Sequence, residues 1–187
     1  MGRNAREDIL DAARRAAQAH GYGGLSMRDL AAEVGIKAAS LYYHFPSKAD
    51  LASAVAKRYW EDAAADLEKI RNEITDPAEQ LRFFPTTFRR ALENENRMCL
   101  CSFMGAEYDD LPDPVKREVK LFADVNVAWL KDALLAAGMV DPGASEARAK
   151  AVFAAVAGAQ LMARSRADIS LYDTLIDSYR SAGLLPA

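Results

Sequence analysis

Residues 26–50, SMRDLAAEVGIKAASLYYHFPSKAD, decide how this chain folds. Ser26 reads as a helix N-cap, with Asp29 at the third helical position in a variant of the reciprocal capping pair. Leu30, Ala31 and Val34 recur at three- to four-residue spacing and bury one helical face. Gly35 stands where a helix end favours a left-handed residue, and Ile36 turns back to the core. Ala38 to His44 form a second helix of roughly two turns. Phe45-Pro46 stops it, because Pro disfavours a helical residue before it and ends the amide ladder. Ser47, with Asp50 three residues on, opens a new helix. Two helices joined by a short turn containing Gly make a helix-turn-helix, whose second helix lies in the major groove of DNA.

The surface of that second helix supports the same reading. Leu41 and Phe45, four apart, are its natural core anchors, which leaves Lys37, Ala39, Ser40, Tyr42, Tyr43 and His44 largely outside. Small Ala residues allow close approach and touch thymine methyls, while hydroxyls and imidazole hydrogen-bond phosphates or base edges. The alternative is that the aromatics pack against a neighbouring helix.

The run LYYHFPSKADL, residues 41–51, preceded by LAAEVGIKAAS, closely resembles the N-terminal domain of the tetracycline-repressor (TetR) family. The likeness covers about residues 4–60 and joins many positions at fixed spacing. It implies a homodimeric, one-component transcription regulator, with a DNA-binding domain over residues 1–48 and a ligand-binding and dimerisation domain over residues 49–187. It also implies that Arg28 lies near the DNA backbone or a base edge, and that Lys48 meets a phosphate. The residues give Lys48 a reason of its own: a cation in the first turn opposes the helix dipole unless an anion shares that terminus. In the family, tilt of the helix after Lys48 changes the spacing of the two reading heads when ligand binds. The pattern Leu51, Val55, Tyr59, Ala63, Leu67, Ile70 makes this helix long enough to do so.

Composition agrees with an all-α protein: Ala dominates, Gly and Pro are sparse, and no alternating strand run appears. The net charge of -3 hides an asymmetry. Residues 1–60 carry nine Lys/Arg against six Asp/Glu, and the remainder carries 15 against 21. A basic N-terminal part fits phosphate contact, and an acidic remainder resists wrapping on DNA. Arg3 and Arg6 reach phosphates or belong to a solvated face. The charged N-terminus lacks the apolar core of a signal peptide, and no apolar run approaches the ~20 residues of a membrane helix. A cytoplasmic protein without membrane contact is expected.

Along the chain, Asn4 with Glu7 should cap the first helix, whose buried stripe is Ile9, Ala13, Ala16 and Ala17. Asp76-Pro77 with Glu79 opens a helix carrying Leu81, Phe84, Phe88 and Leu92. Pro85 inside it produces a bend or a gap beside a ligand cavity. Residues 97–111 form an apolar helix with Cys99, Phe103 and Met104 inward. Asp113-Pro114 opens a long helix bearing Phe122, Val125 or Asn126, and Trp129, in which Asn126 is either half-exposed or an inward polar group for a ligand. From Ser145 the chain is rich in Ala and Gly, permitting close helix approach, and Ser170 with Asp173 should cap the last helix. These two terminal helices either complete the monomer core or form a two-fold four-helix interface, as the resemblance implies. The expected fold is a three-helix helix-turn-helix domain plus a C-terminal helical bundle, about nine helices in all.

No Gly-rich phosphate loop, nucleophile elbow or metal-ligand cluster appears, so neither catalysis, nor a cofactor, nor a bound metal is expected. The expected partners are a double-stranded DNA operator, a second copy of the chain and a small-molecule effector. The effector should be apolar or aromatic and lie among Phe84, Phe88, Cys99, Phe103, Met104, Tyr108, Phe122 and Trp129, residues that suit an ordinary core equally well. Regulation is expected to be repression relieved by the effector. Two alternatives stand beside it. In one, Cys99 or Cys101, with Arg97 favouring a thiolate, senses oxidants or electrophiles. In the other, the motif is only the scaffold of an interaction module.

Overall fold

The computed structural model describes residues 4–187, and all of their regular structure is helical. In chain order the α-helices are α1 (Ala5–His20), α2 (Met27–Val34), α3 (Ala38–His44), α4 (Lys48–Glu73), α5 (Pro77–Phe83), α6 (Pro85–Glu93), α7 (Leu100–Ala106), α8 (Asp113–Ala136), α9 (Ser145–Arg166) and α10 (Ile169–Ser181), with a 3-10 turn at Tyr108–Asp110. The all-α expectation holds. The tenth helix arises at Pro85, which splits the helix expected from Asp76 into α5 and α6.

Backbone and side-chain hydrogen bonds brace that break. Pro85 offers no amide, so the ladder ends at Phe84 N–H to Gln80 O (3.0 Å) and resumes with Thr87 N–H to Phe84 O (3.1 Å). The hydroxyls of Thr86 and Thr87 donate to Phe83 O and Phe84 O at 2.8 and 2.7 Å. From α10, the buried Tyr172 hydroxyl donates to Pro85 O at 2.7 Å. Burial pushes the Tyr172 phenol far above its ordinary range and keeps it a neutral donor.

The chain divides into two compact units. The first runs to Trp60 and takes in Leu100–Leu121; the second comprises Glu61–Cys99 and Phe122–Ala187. Helices α4 and α8 each contribute residues to both. In the first unit, Ile9, Leu10, Ala13 and Ala17 of α1 pack in one core with Leu30, Ala31, Leu41, Phe45, Leu51 and Val55. Leu100 and Met104 of α7 and Leu111 and Val115 join the same core. The chain therefore returns from residue 100 to complete the domain begun at its N-terminus.

In the second unit, Gln160 is wholly buried and bridges two elements with one amide. Its Oε1 accepts from Cys99 N–H at 3.0 Å, and its Nε2 donates to Phe88 O at 2.6 Å. Arg89 of α6 grips Asp173 of α10 with two bonds, at 2.7 and 2.9 Å. Arg89 holds the Asp173 carboxyl below its usual range, so this pair's contribution is present above the ordinary carboxylate pKa. It is lost as pH falls through the lowered value.

Four local expectations need correction. Asn4 occupies the N-cap position, but its side chain makes no capping bond; its carbonyl accepts from Glu7 and Asp8 instead. Glu7 is engaged by Arg58 at 2.8 Å. The last helix is capped by Asp168, not Ser170: its carboxylate accepts from Ser170 N–H at 2.9 Å and Leu171 N–H at 3.4 Å. Asp173 is committed to Arg89. The helix expected over 97–111 is shorter, because Glu95 and Asn96 adopt left-handed conformations in a tight turn before it and α7 gives way to the 3-10 turn after Ala106. Asn126, of the two expectations, is buried, and its Nδ2 donates to Phe122 O at 2.8 Å within its own helix.

Candidate nucleic-acid interface

The reading head is built by caps and turns that the sequence dictates. Ser26 Oγ accepts from Asp29 N–H at 3.3 Å and starts α2. Gly35 ends it at φ 75°, ψ 33°, a left-handed conformation that costs Gly nothing. The chain reverses there, with Gly35 N–H bonded to Ala32 O (3.2 Å) and Ile36 N–H to Ala31 O (3.0 Å). After α3, Phe45 is buried and the Arg6 guanidinium lies 5.3 Å over its ring. Ser47 caps α4 as expected: Asp50 N–H donates to Ser47 Oγ (3.1 Å), and that hydroxyl donates to the Asp50 carboxylate (2.7 Å).

Within α3 only Leu41 is buried. Lys37, Ala39 and Ser40 are exposed, Tyr42 is 50% exposed, and Tyr43, at 85%, exceeds every other exposed large hydrophobic residue described. His44 is half-buried, its ring edge-on to Tyr43 with centroids 5.4 Å apart. The outward face of α3 thus presents two phenol rings beside small side chains. Arg28, on the first turn of α2, has a side chain 92% exposed and only a 3.5 Å contact with Asp29. Arg3 lies outside the described residues.

Lys48, the first residue of α4, is held. Its Nζ donates to Gly23 O at 3.2 Å and sits 4.5 Å over the Tyr22 ring. On the same turn, Tyr22 N–H donates to Glu107 Oε2 at 2.7 Å, with Gly23 N–H 3.4 Å from Oε1. Consecutive amides of this kind form a small anion-binding concavity. Sequence reasoning missed Glu107 and Tyr22, because no local pattern links positions 85 residues apart.

The residues expected around an effector divide between the two units. Phe84, Phe88, Cys99, Phe122 and Trp129 are buried in the second. There Phe84 stacks on Trp129 at 5.8 Å, and Phe88 meets Phe122 at 6.3 Å. Phe153 of α9, missed because its segment read as a small-residue stripe, completes the group at 5.9 Å from Phe88. Met104, Phe103 and Tyr108 belong to the first unit. Met104 is a core residue there, Phe103 is half-buried, and Tyr108 is exposed with Lys116 Nζ 4.5 Å over its ring. Both cysteines are buried, Cys99 in the second unit and Cys101 in the first. Arg97, expected to favour a thiolate, pairs with Glu95 at 2.8 Å. Among the described residues no group of three or more His, Cys, Asp or Glu side chains is placed to hold a metal ion. No helix among them is long and apolar enough to cross a membrane.

Comparison with known proteins places this head in a family. Residues 9–55 match the model of bacterial regulatory proteins of the tetR family. The HTH-type transcriptional regulator LmrA of Bacillus subtilis (strain 168) is 37% identical over 82 residues, 43% of this chain and 44% of that protein. That match thus spans less than half of the curated relative. Two solved structures align over nearly the whole length at 30% identity. A TetR-family transcriptional regulator from Agrobacterium tumefaciens has a TM-score of 0.88, covering 95% of this chain and 96% of that one. A TetR transcriptional regulator from Legionella pneumophila has a TM-score of 0.89, covering 97% and 98%. The chain belongs to the TetR family of DNA-binding transcriptional regulators.

Proposed function

We propose that this protein is a ligand-responsive repressor, which leaves a near-palindromic operator when a small apolar or aromatic effector binds. The observation that carries the DNA reading is α3: seven residues, one buried side chain, and two outward tyrosines. In this reading Lys37, Ala39, Ser40 and Tyr43 face the major groove, while Arg28, Tyr42, His44 and Lys48 position the backbone phosphates. Residues 1–48 carry DNA binding, and residues 49–187 carry effector binding and dimerisation. The protein works as a cytoplasmic homodimer.

Support for the two-fold partner comes from α9, which shows almost no amphipathic bias. Ala147, Ala151, Ala154 and Leu161 are exposed along one stripe of it, and a Cβ added at Gly158 would meet nothing within 4 Å. A helix that is apolar on both sides needs cover on both. An isologous pairing supplies it, and its two-fold axis makes the two reading heads ask for half-sites one helical turn, ~34–36 Å, apart or a multiple of it. The buried aromatic group around Phe88 supports an apolar or aromatic effector class.

Selection of genomic fragments by the purified protein at near-physiological salt, read by sequencing, tests the reading. An enriched inverted repeat is expected; retention of no fragment would leave the motif as a mere scaffold. On the recovered repeat, Tyr43→Ala should cost about 1–3 kcal/mol of binding. Its unfolding free energy should stay within about 0.5 kcal/mol of wild type, as for a surface substitution. Unchanged affinity would remove Tyr43 from the reading surface.

A further inference from the structure

We infer that Glu107 is a positioning residue for DNA binding: its carboxylate, seated on the amides of Tyr22 and Gly23, fixes the turn that presents Lys48 to a phosphate. The inference rests on the phosphate role proposed for Lys48. Glu107 follows α7, so it reaches the reading head from a segment far away in sequence. Its Oε2 takes the Tyr22 amide at 2.7 Å, and its Oε1 is 3.4 Å from the Gly23 amide. The carboxylate lies so close over Gly21 that a Cβ there would be 2.3 Å from both oxygens. The same two residues hold Lys48 by other groups: Gly23 through its carbonyl at 3.2 Å, Tyr22 through its ring at 4.5 Å.

The turn thus carries an anion on its amides and a cation on its carbonyl and ring. The two charges act on different peptide units, since the Gly23 carbonyl used by Lys48 belongs with Gly24 N–H, which donates to His20 O at 3.2 Å; the carboxylate therefore acts on Lys48 by fixing the turn. Without the carboxylate, two consecutive amides lose a charged acceptor in a part-buried place. Residues 21–24 include three glycines; Gly21 N–H and Gly24 N–H are tied to Ala17 O and His20 O at 2.9 and 3.2 Å, so the carboxylate is what fixes the Tyr22 and Gly23 amides between them. Lys48 would keep its charge but lose its station, and a phosphate contact that depends on station would go with it.

The test is a double-mutant cycle on Glu107 and Lys48, reading affinity for a labelled duplex of scrambled sequence against salt concentration. Full-length wild type, Lys48→Ala, Glu107→Ala and the double variant are compared, with thermal melts for each. Lys48→Ala should lower the salt slope by about one unit. Glu107→Ala, which removes a negative charge, should nevertheless lower it by the same amount. The double variant should lose no more than either single one, because the two act as a unit. Glu107→Gln keeps one acceptor oxygen and should restore most of the slope. This arm also guards against a folding defect, which alters the active fraction and leaves the slope unchanged.

Two results overturn the inference. A slope lowered by Lys48→Ala but not by Glu107→Ala refutes the positioning role alone. A slope that Lys48→Ala does not lower refutes it together with the phosphate role on which it rests.

Discussion

Leu41→Ala is expected to cost about 2–5 kcal/mol of stability and to abolish operator binding, the usual range for a wholly buried leucine. Leu41 is 0% exposed and is the one buried side chain of α3. A helix of seven residues does not hold itself together in water, because its few hydrogen bonds do not offset the entropy of nucleation. What keeps α3 helical is this side chain in the α1–α2 core, helped by Phe45 just beyond it. Truncating Leu41 therefore opens a cavity in the core and releases the surface that reads DNA. A loss of this size is a large fraction of the 5–15 kcal/mol typical of a domain. Denaturant unfolding should show a lower midpoint with an unchanged slope. Size-exclusion should still show a dimer at low temperature, if pairing lies on α9 and α10. The contrast with Tyr43→Ala makes the case: one variant loses DNA through the core, the other through the surface. An unmoved unfolding midpoint would show that α3 is anchored elsewhere.

The helix-turn-helix was legible because its determinants are local. Ser26 and Ser47 cap helices whose third-position acids lie three residues on, Gly35 takes a conformation that most residues resist, and Pro46 breaks a ladder. Such signals act over a few residues and leave the chain little choice. Burial at helical spacing was equally readable, but it does not say in which core a residue lies. Met104 and Trp129 carry the same pattern, yet one packs in the first unit and the other in the second. Where two local signals competed, a distant partner decided. Asp173 stands at the right spacing to pair with Ser170, but Arg89, 84 residues away, claims it, and Asp168 takes the cap. Glu107 lies wholly beyond sequence reasoning, since neither composition nor periodicity marks a carboxylate destined for a turn 85 residues upstream.

Two glycines in the reading head share a positive φ and are expected to respond very differently to an added methyl group. Gly35 sits at φ 75°, ψ 33° with open space where a Cβ would stand, so Gly35→Ala should cost only the left-handed strain of about 1–2 kcal/mol. Gly21 sits at φ 70°, ψ −167°, a region populated almost only by glycine and worth about 1–3 kcal/mol of strain to any other residue. Its Cβ would also stand 2.3 Å from both oxygens of Glu107. That carboxylate is the end of a flexible chain, so it would swing away instead of forcing the backbone apart. The cost is then the loss of its bond to the Tyr22 amide, a charge-assisted contact in a part-buried place, at most about 1.5–3 kcal/mol further. Gly21→Ala should therefore destabilise the protein by up to about 2.5–6 kcal/mol. The Glu107→Ala background separates the two contributions. With the carboxylate already gone, Gly21→Ala should cost its backbone strain alone, whereas Gly35→Ala should cost the same in both backgrounds. Unfolding midpoints of the six proteins decide it. An equal Gly21→Ala cost with and without Glu107 would mean that the carboxylate moves aside freely, leaving strain as the whole effect.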